Sequence, residues 1–358
     1  MAQTSQNSAA DIAHKPMMST AQILLMNVGF FGIQYSFGMQ QNIMSPIYQF
    51  LGAQPDELPI LNLAGPVTGL LIQPLIGALS DRTWSEKWGR RKPFFLIGAV
   101  GCSIFLFLMP FVTAVWMAVL CLWLLDASNN TAMEPYRAFI GDRVPDKQLA
   151  KGFLAQSLFI GAGSALAGGT LAVLEKILKG ATAAGIPYWV FGAFMVGSVC
   201  SIGSVLISVL STKELPPTPE GLVELERKKR EEGPFGFVKD IGVAIVEMPR
   251  GLKKMALVYL FQWYAMNVFW QYLGLMCAVT YFGVNLSDPG YAKTEAFNDA
   301  SGFATGLMVA YYVSCTVVAL FLARLSNRIG PKHVHTAALF LAAVCLVLLT
   351  RIGSPGHT

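Results

Sequence analysis

Apolar runs of membrane-spanning length recur along this chain, with short polar segments between them. A helix of about 20 residues crosses the roughly 30 Å of hydrocarbon in a bilayer. Nine runs are suitable, and they cover 21–45, 60–80, 94–113, 115–141, 152–175, 187–210, 254–283, 302–323 and 334–350. Because lipid offers no hydrogen-bond partners, each span must satisfy its own backbone groups, as a helix does. The pattern therefore predicts an all-α, polytopic membrane protein.

The fourth run carries polar residues where lipid makes them costly. They follow a spacing of four, four and three residues and are Asp126, Asn130, Glu134 and Arg137. This spacing places them along one helical stripe. A charge at the bilayer centre costs roughly 2.5 to 3.5 kcal/mol, so such groups usually face a bundle interior or a water-filled path. Glu134 either titrates or pairs with Arg137 three residues later, and the pair is the favoured alternative.

Composition and charge agree with a membrane protein. Hydrophobic residues make up 54% of the chain and charged residues 13%, whereas about 25% is usual for soluble domains. Of the 26 lysines and arginines, 21 fall on one side of the nine predicted spans and four on the other, while Arg137 lies within a span. The positive-inside rule then predicts a cytoplasmic N-terminus. The net charge of +5 needs no nucleic-acid partner to explain it.

Motifs for catalysis or cofactor binding are missing from the sequence. It has no nucleophile elbow, no Walker loop and no HExxH helix. The six cysteines are isolated within the predicted spans, and no histidine stands at metal-ligand spacing. We therefore expect no enzyme activity, no cofactor and no metal site.

A polar stretch at 212–253 divides the chain. The expected organisation is a cytoplasmic tail (1–20), a six-helix bundle (21–211), a linker with an amphipathic interfacial segment at 235–248, and a partial three-helix bundle (254–358). A short repeat supports two related halves, because Leu79-Ser-Asp-Arg follows the second span and Leu325-Ser-Asn-Arg follows the eighth. Duplicated halves are typical of secondary transporters.

The loop after the second span carries an acidic and basic motif. Its residues 77–93 read GALSDRTWSEKWGRRKP, which resembles the cytoplasmic loop of the major facilitator superfamily. A helix that ends in Asp beside a tight basic turn can form a charge network that closes one side and breaks on opening. The gate residues expected on this basis are Asp81, Arg82, Gly89, Arg90, Arg91 and Asp142. The competing interpretation is a basic loop that only sets topology.

Three further segments, 37–46, 63–77 and 125–142, resemble the first, second and fourth helices of sucrose–proton symporters and their relatives. The resemblance is strong over about residues 30 to 145. It implies a glycoside–pentoside–hexuronide:cation symporter, with proton as the usual coupling ion. It makes Asp126 the proton-coupling carboxylate, and it places Asn130, Gln40 and Gln73 at polar positions of the motifs. Glu134 departs from the plant pattern, which has Gly there.

A neutral sugar requires amide and hydroxyl partners together with an apolar ring platform. The polar span residues offered as substrate-binding candidates are Gln34, Gln40, Gln41, Gln73, Asn130, Gln156, Gln262, Trp263, Asn267 and Gln271. The alternative for each of them is a helix-packing or interfacial role.

The sequence thus predicts a monomeric, proton-coupled symporter of a neutral disaccharide or glycoside in a plasma or bacterial inner membrane. Its partners would be the sugar, a proton and the bilayer. Sucrose and maltose lead by resemblance. The alternatives are an uncoupled facilitator and a sugar-binding sensor or remnant that transports nothing. Since the family has twelve spans and nine are found, the sequence is expected to be a truncated record.

Overall fold

The computed structural model describes residues 15–232, 236–288 and 290–352. Residues 1–14 of the expected tail, 233–235 of the expected linker, and 353–358 of the last expected segment lie outside the described residues. Twelve α-helices occur in the described part, namely α1 (Thr20–Phe50), α2 (Leu58–Leu61), α3 (Ala64–Asp81), α4 (Lys92–Leu108), α5 (Val115–Arg143), α6 (Leu149–Ile177), α7 (Tyr188–Ser211), α8 (Pro219–Glu232), α9 (Gly236–Val246), α10 (Arg250–Phe282), α11 (Glu295–Ile329) and α12 (Pro331–Ile352).

The all-α prediction is confirmed. Over the described ranges no β-strand occurs, and an isolated β-bridge joins Ala181 to Pro187. Five helical segments are long and apolar enough to cross a membrane: Leu58–Asp81, Lys92–Phe111, Asp146–Ile177, Tyr188–Ser211 and Glu295–Val318. The other predicted runs are helical too, but α1, α5 and α10 carry more polar residues. The chain is a multi-pass membrane protein.

The helix bounds differ from the apolar runs where local chemistry decides. Ser19 caps α1 in a capping box with Gln22, and the helix continues through Pro46 to Phe50, beyond the predicted end at 45. In the linker, the helix α9 (Gly236–Val246) lies within the amphipathic segment predicted at 235–248. A further helix, α8, precedes it and was not predicted, because its charged sequence has no apolar run.

The first seven helices form one packed group. Helix α1 lies against α6 and α7, α4 lies against α5 and α7, and α3 lies against α5. A buried contact ties α1, α5 and α7 together, because the Tyr136 hydroxyl bonds with the Met26 carbonyl and with Ser208. Gly29 is needed there, since a β-carbon at that position would lie 2.7 Å from the Tyr136 ring.

Helices α10 and α11 pack on this group from one side. Helix α11 lies against α6, and α10 lies against α11. At the end of the bundle opposite the 82–91 loop, Gln49 accepts a hydrogen bond from the Tyr291 hydroxyl at 2.9 Å. The Trp189 indole donates to Asn298 at 3.0 Å, and the Phe50 and Phe297 rings meet edge to face. We call this set of contacts the seam.

Candidate functional site

Asp126 lies buried at the contact between α5 and α3. Its side chain is 1% exposed, and its carboxylate accepts hydrogen bonds from Thr68 and from the Asn130 amide, the latter at 2.8 Å. These partners are neutral. None of the ion pairs formed by the described residues involves Asp126.

Three residues of the polar stripe, Asp126, Asn130 and Glu134, lie beside α3. One turn beyond Asp126, the Asn130 Oδ1 atom accepts a 2.6 Å hydrogen bond from Gln73. One turn further, Glu134 Cγ would lie 3.5 Å from a β-carbon on Gly77. Glu134 and Arg137 approach to 4.0 Å, the outer limit of an ion pair. The Glu134 side chain is 35% exposed and the Arg137 side chain is 47% exposed.

A buried carboxylate without a cationic partner is costly to keep charged. Hydrogen bonds from a hydroxyl and an amide offset part of that cost but supply no compensating charge. Such a group lowers its free energy by taking up a proton, or by moving to a more polar conformation. The geometry at Asp126 can therefore couple a proton to a change in the contact of α3 with α5.

A small cavity of about 20 Å³, partly open to solvent, lies between α1, α10 and α11. In this conformation it has room for about one water molecule, so a larger ligand requires its walls to move apart. The residues that line it are uncharged: Gln41, Asn42, Pro46, Gln49, Trp270, Gln271, Leu273, Gly274, Leu275, Phe297, Ser301, Ala304 and Met308. Asp126 lies on α5 and does not line the cavity.

The structure divides the predicted substrate residues into groups. Gln41 and Gln271 line the cavity, whereas Gln73 and Asn130 belong to the Asp126 network. Three others have a buried amide atom without a hydrogen-bond partner among the described residues: Gln40, Gln156 and Gln262. These residues are not brought into the cavity.

The remaining three predicted substrate residues lie away from the cavity as well. Gln34 packs on Gly163 of α6, where a β-carbon would lie 3.0 Å from Gln34 Cβ. Trp263 is 52% exposed on α10, and the Asn267 amide donates to the Trp263 carbonyl within the same helix. Spacing along one helix could not show which neighbours each face meets.

The predicted gate residues form an ionic cluster between α3, α4 and α5. Asp81 bonds with Arg90 at 3.1 Å and with Arg91 at 2.6 Å, and Arg91 reaches Asp142 at 2.8 Å. Burial lowers the pKa of Arg90. For Arg91, the carboxylates of Asp142 and Asp81 more than offset burial and raise the pKa. Arg82 lies beside the cluster, at the C-terminal cap of α3.

Glu214, which the sequence did not single out, completes this cluster. Its carboxylate accepts from the backbone N–H groups of Arg90, Arg91 and Lys92 at 2.8 to 3.1 Å. These donors lie at the start of α4, where unpaired N–H groups and the helix dipole favour an anion. The one available signal was an acidic residue directly after the sixth apolar run.

Gly89 makes this approach possible. Its φ is +76°, a conformation that costs other residues about 1 to 2 kcal/mol. A β-carbon at this position would lie 2.5 Å from the Glu214 carboxyl carbon. The Gly in the motif is therefore required twice, for the turn and for the room that Glu214 occupies.

An apolar helical bundle with a buried carboxyl, an uncharged cavity and an ionic cluster at one end is typical of a secondary transporter. The profile of the family described as Major Facilitator Superfamily matches residues 26–358. The chain belongs to the major facilitator superfamily, a family of transporters.

Curated relatives are plant sucrose transporters. The chain is 30% identical over 188 residues to sucrose transport protein SUC4 of Arabidopsis thaliana, a match over 46% of this chain and 36% of that protein. It is 32% identical over 147 residues to sucrose transport protein SUT1 of Oryza sativa subsp. japonica, over 35% of this chain and 27% of that protein. The matches thus span about a third of these relatives.

Among solved structures, the chain is similar to a bacterial homolog of the human lysosomal transporter Spinster, in an inward-facing and unoccupied conformation. The identity is 15% and the TM-score 0.45, over 87% of this chain and 81% of the other.

Proposed function

We propose that this protein carries out proton-coupled symport of a neutral disaccharide or glycoside of the sucrose and maltose class. The observation that carries the proposal is Asp126, a carboxyl buried in a membrane helix with neutral hydrogen-bond partners alone among the described residues. Two relatives named as sucrose transport proteins support the choice of substrate.

Coupling follows from the cost of the buried charge. In the proposed cycle, Asp126 takes up a proton from the acidic side, and the sugar occupies the uncharged cavity between α1, α10 and α11. Neutral Asp126 lowers the free energy of the closed state, so the loaded protein crosses more readily than the charged, empty one. On the other side, a more polar path along Glu134 and Arg137 lets the proton leave.

The ionic cluster serves as the gate of the cytoplasmic side in this proposal. Its basic residues favour that orientation, with the N-terminus cytoplasmic in a plasma or bacterial inner membrane. Contacts of Asp81 and Asp142 with Arg91 hold α3, α4 and α5 together at this end. Opening of the cytoplasmic side then requires the cluster to loosen. We propose that the protein does this as a monomer.

Uptake into proteoliposomes tests the proposal. With an imposed inward proton gradient, wild-type protein should accumulate radiolabelled sucrose or maltose above equilibrium, and a protonophore should abolish the accumulation. Asp126→Asn removes the titratable group while keeping its size, so it should only equilibrate the sugar. Asp56→Asn changes an exposed loop carboxylate and should accumulate sugar like the wild type.

Three results would contradict parts of the proposal. Full accumulation by Asp126→Asn would remove its coupling role. Equilibration by the wild type, insensitive to the gradient, would indicate a facilitator. Binding of sugar with no uptake would indicate a sensor.

A further inference from the structure

Two residues that line the cavity each have a buried polar side-chain atom without a partner in the part of the chain that the structure describes. Asn42 Oδ1 and Trp270 Nε1 are buried, and neither makes a hydrogen bond among the described residues. Leaving a buried donor or acceptor unpaired costs about 1 to 3 kcal/mol. Eight such atoms occur among the described residues, and these two belong to residues that line the same cavity, which calls for a physical reason.

The orientation of the Asn42 amide is fixed by its other end. Its Nδ2 atom donates to the Gly38 carbonyl at 2.6 Å, and a carbonyl can only accept. The oxygen of Asn42 is therefore the atom left over. The Trp270 indole has an N–H group and no acceptor. The wall thus presents one free acceptor on α1 and one free donor on α10.

Three of the neighbouring polar side chains are already engaged. Gln41 accepts from the Tyr312 hydroxyl. Gln49 donates to the Ser45 carbonyl at 3.0 Å and accepts from Tyr291. Ser301 donates to the Phe297 carbonyl at 2.9 Å. These bonds hold part of the wall in place, whereas the Asn42 oxygen and the Trp270 N–H group stay without a partner among the described residues. Gln271 is a further polar residue of the lining.

The chemistry of the lining defines that ligand. A hydroxyl group both donates and accepts, so it is complementary to either a free acceptor or a free donor. The indole ring supplies an apolar platform next to Leu273 and Met308. No charged side chain lines the cavity, so an ionised ligand would lose its hydration without a counter-charge.

We infer that Asn42 and Trp270 form a hydroxyl-binding subsite that selects neutral polyols over sugar acids and sugar phosphates. This inference rests on the proposed function and specifies its substrate class. In the closed cavity both atoms are covered, so the facing walls of α1 and α10 must separate before the ligand enters. The ligand then supplies the two hydrogen bonds that the empty protein does without.

Binding of labelled sucrose and maltose to purified protein tests the inference. Trp270→Phe keeps an aromatic ring and removes the N–H group, and Asn42→Leu keeps the volume and removes the oxygen. Each should weaken binding about tenfold, the loss expected for one hydrogen bond. Trp116→Phe, a change at an exposed tryptophan on α5, should bind like the wild type. Sucrose 6-phosphate and a glucuronide should bind at least about tenfold more weakly than sucrose.

Thermal unfolding in detergent identifies variants that fail to fold. If Asn42→Leu fails to fold, Asn42→Ser replaces it; this variant retains an oxygen, so the expected loss of sugar affinity is smaller. Unchanged affinity in both subsite variants, or equal affinity for the charged sugars, would overturn the inference. If Trp270→Phe weakens binding while the wild type shows no proton-driven accumulation, the subsite stands and the proposed function fails. If the wild type accumulates sugar and both subsite variants bind it with unchanged affinity, the proposed function stands and the subsite fails. A wild type that binds none of these sugars overturns both.

Discussion

The Thr68 hydroxyl has three possible acceptors but one hydrogen. It lies within hydrogen-bond distance of the Asp126 carboxylate, the Ala64 carbonyl at 2.9 Å and the Gly65 carbonyl at 3.4 Å. When Asp126 is ionised, Thr68 donates to it. When Asp126 is protonated, its O–H group can donate to Thr68, which then turns its own hydrogen to Ala64. Thr68 can thus donate to the carboxylate and accept from the neutral acid, whereas the Asn130 N–H group can only donate.

Thr68→Val keeps the side-chain shape and removes this hydroxyl. Proton-driven sugar uptake should fall about tenfold, because a buried hydrogen bond is lost in both states of Asp126. Thr68→Ser retains the hydroxyl and should remain close to the wild type. Initial uptake rates under an imposed proton gradient measure the difference. Equal rates in the two variants, with unfolding temperatures unchanged, would show that the hydroxyl is not needed.

At the level of residues, the sequence was sufficient to predict the polar stripe of α5 and the charged loop motif at 77–93. Asp126 stood out because lipid penalises a charge, and Arg91 because a helix end and a tight turn concentrate charges. Glu214 did not stand out, since it meets Arg90 at a separation of 124 residues. Asn42 and Trp270 did not either, because an unpaired atom is a property of the packed structure and leaves no trace in spacing.

At the scale of elements, glycine sets how closely α6 and α11 cross. A β-carbon on Gly168 would lie 2.7 Å from the Val309 side chain. A β-carbon on the adjacent Gly169 would meet nothing within 4 Å. Both residues are glycines and they are adjacent on the same helix, but only Gly168 is in close contact with α11. Gly169 is therefore a matched control for a substitution at Gly168.

Gly168→Ala should therefore destabilise the protein by about 1 to 3 kcal/mol, because it overpacks the crossing. Gly169→Ala should be neutral or stabilise by up to about 1 kcal/mol, since alanine is the better helix former. Thermal unfolding in detergent compares them. Gly168→Ala with Val309→Ala should recover part of the loss, and equal melting of the two single variants would argue against a tight crossing.

The elements themselves were largely predictable from the apolar runs, because lipid requires length and hydrophobicity of every span. The ends were less so. Helix α1 runs past Pro46 to Phe50, and the second run is split into α2 and α3 at Asn62 and Leu63. Helix α8 was missed because its charged residues form no apolar run. These details depend on caps and tertiary contacts that hydropathy does not report.

At the scale of the molecule, the two ends of the bundle are closed by different chemistry. The ionic cluster joins residues from α3, α4 and α5 with Glu214, all before α8. The seam joins α1 and α7 to residues after α10 through neutral hydrogen bonds and aromatic rings. In this conformation the seam thus supplies direct polar contacts between residues before α8 and residues after α10. These contacts must break before a solute can enter from that end.

Tyr291→Phe removes the hydroxyl that bonds to Gln49 and keeps the ring that meets Phe297. The seam should open more often, so backbone hydrogen exchange in the first turns of α11 should speed up about tenfold. Tyr281→Phe, at a half-exposed tyrosine, is the control and should leave this exchange unchanged. Unaltered exchange in Tyr291→Phe would mean that the seam does not depend on this bond.

The contacts of Glu214 also show how far the segment after α7 stays attached to the helices before it. Arg143 donates to the Lys213 carbonyl at 3.1 Å, and Glu214 holds the start of α4. The segment after α7 is therefore fastened as far as residue 214, although the apolar run stops at 210. An insertion between 211 and 214 would pull Glu214 away from its donors. Pro217 is buried as well, so the segment stays packed as far as this residue, and an insertion would lengthen the connection without displacing Glu214 only if it followed Pro217.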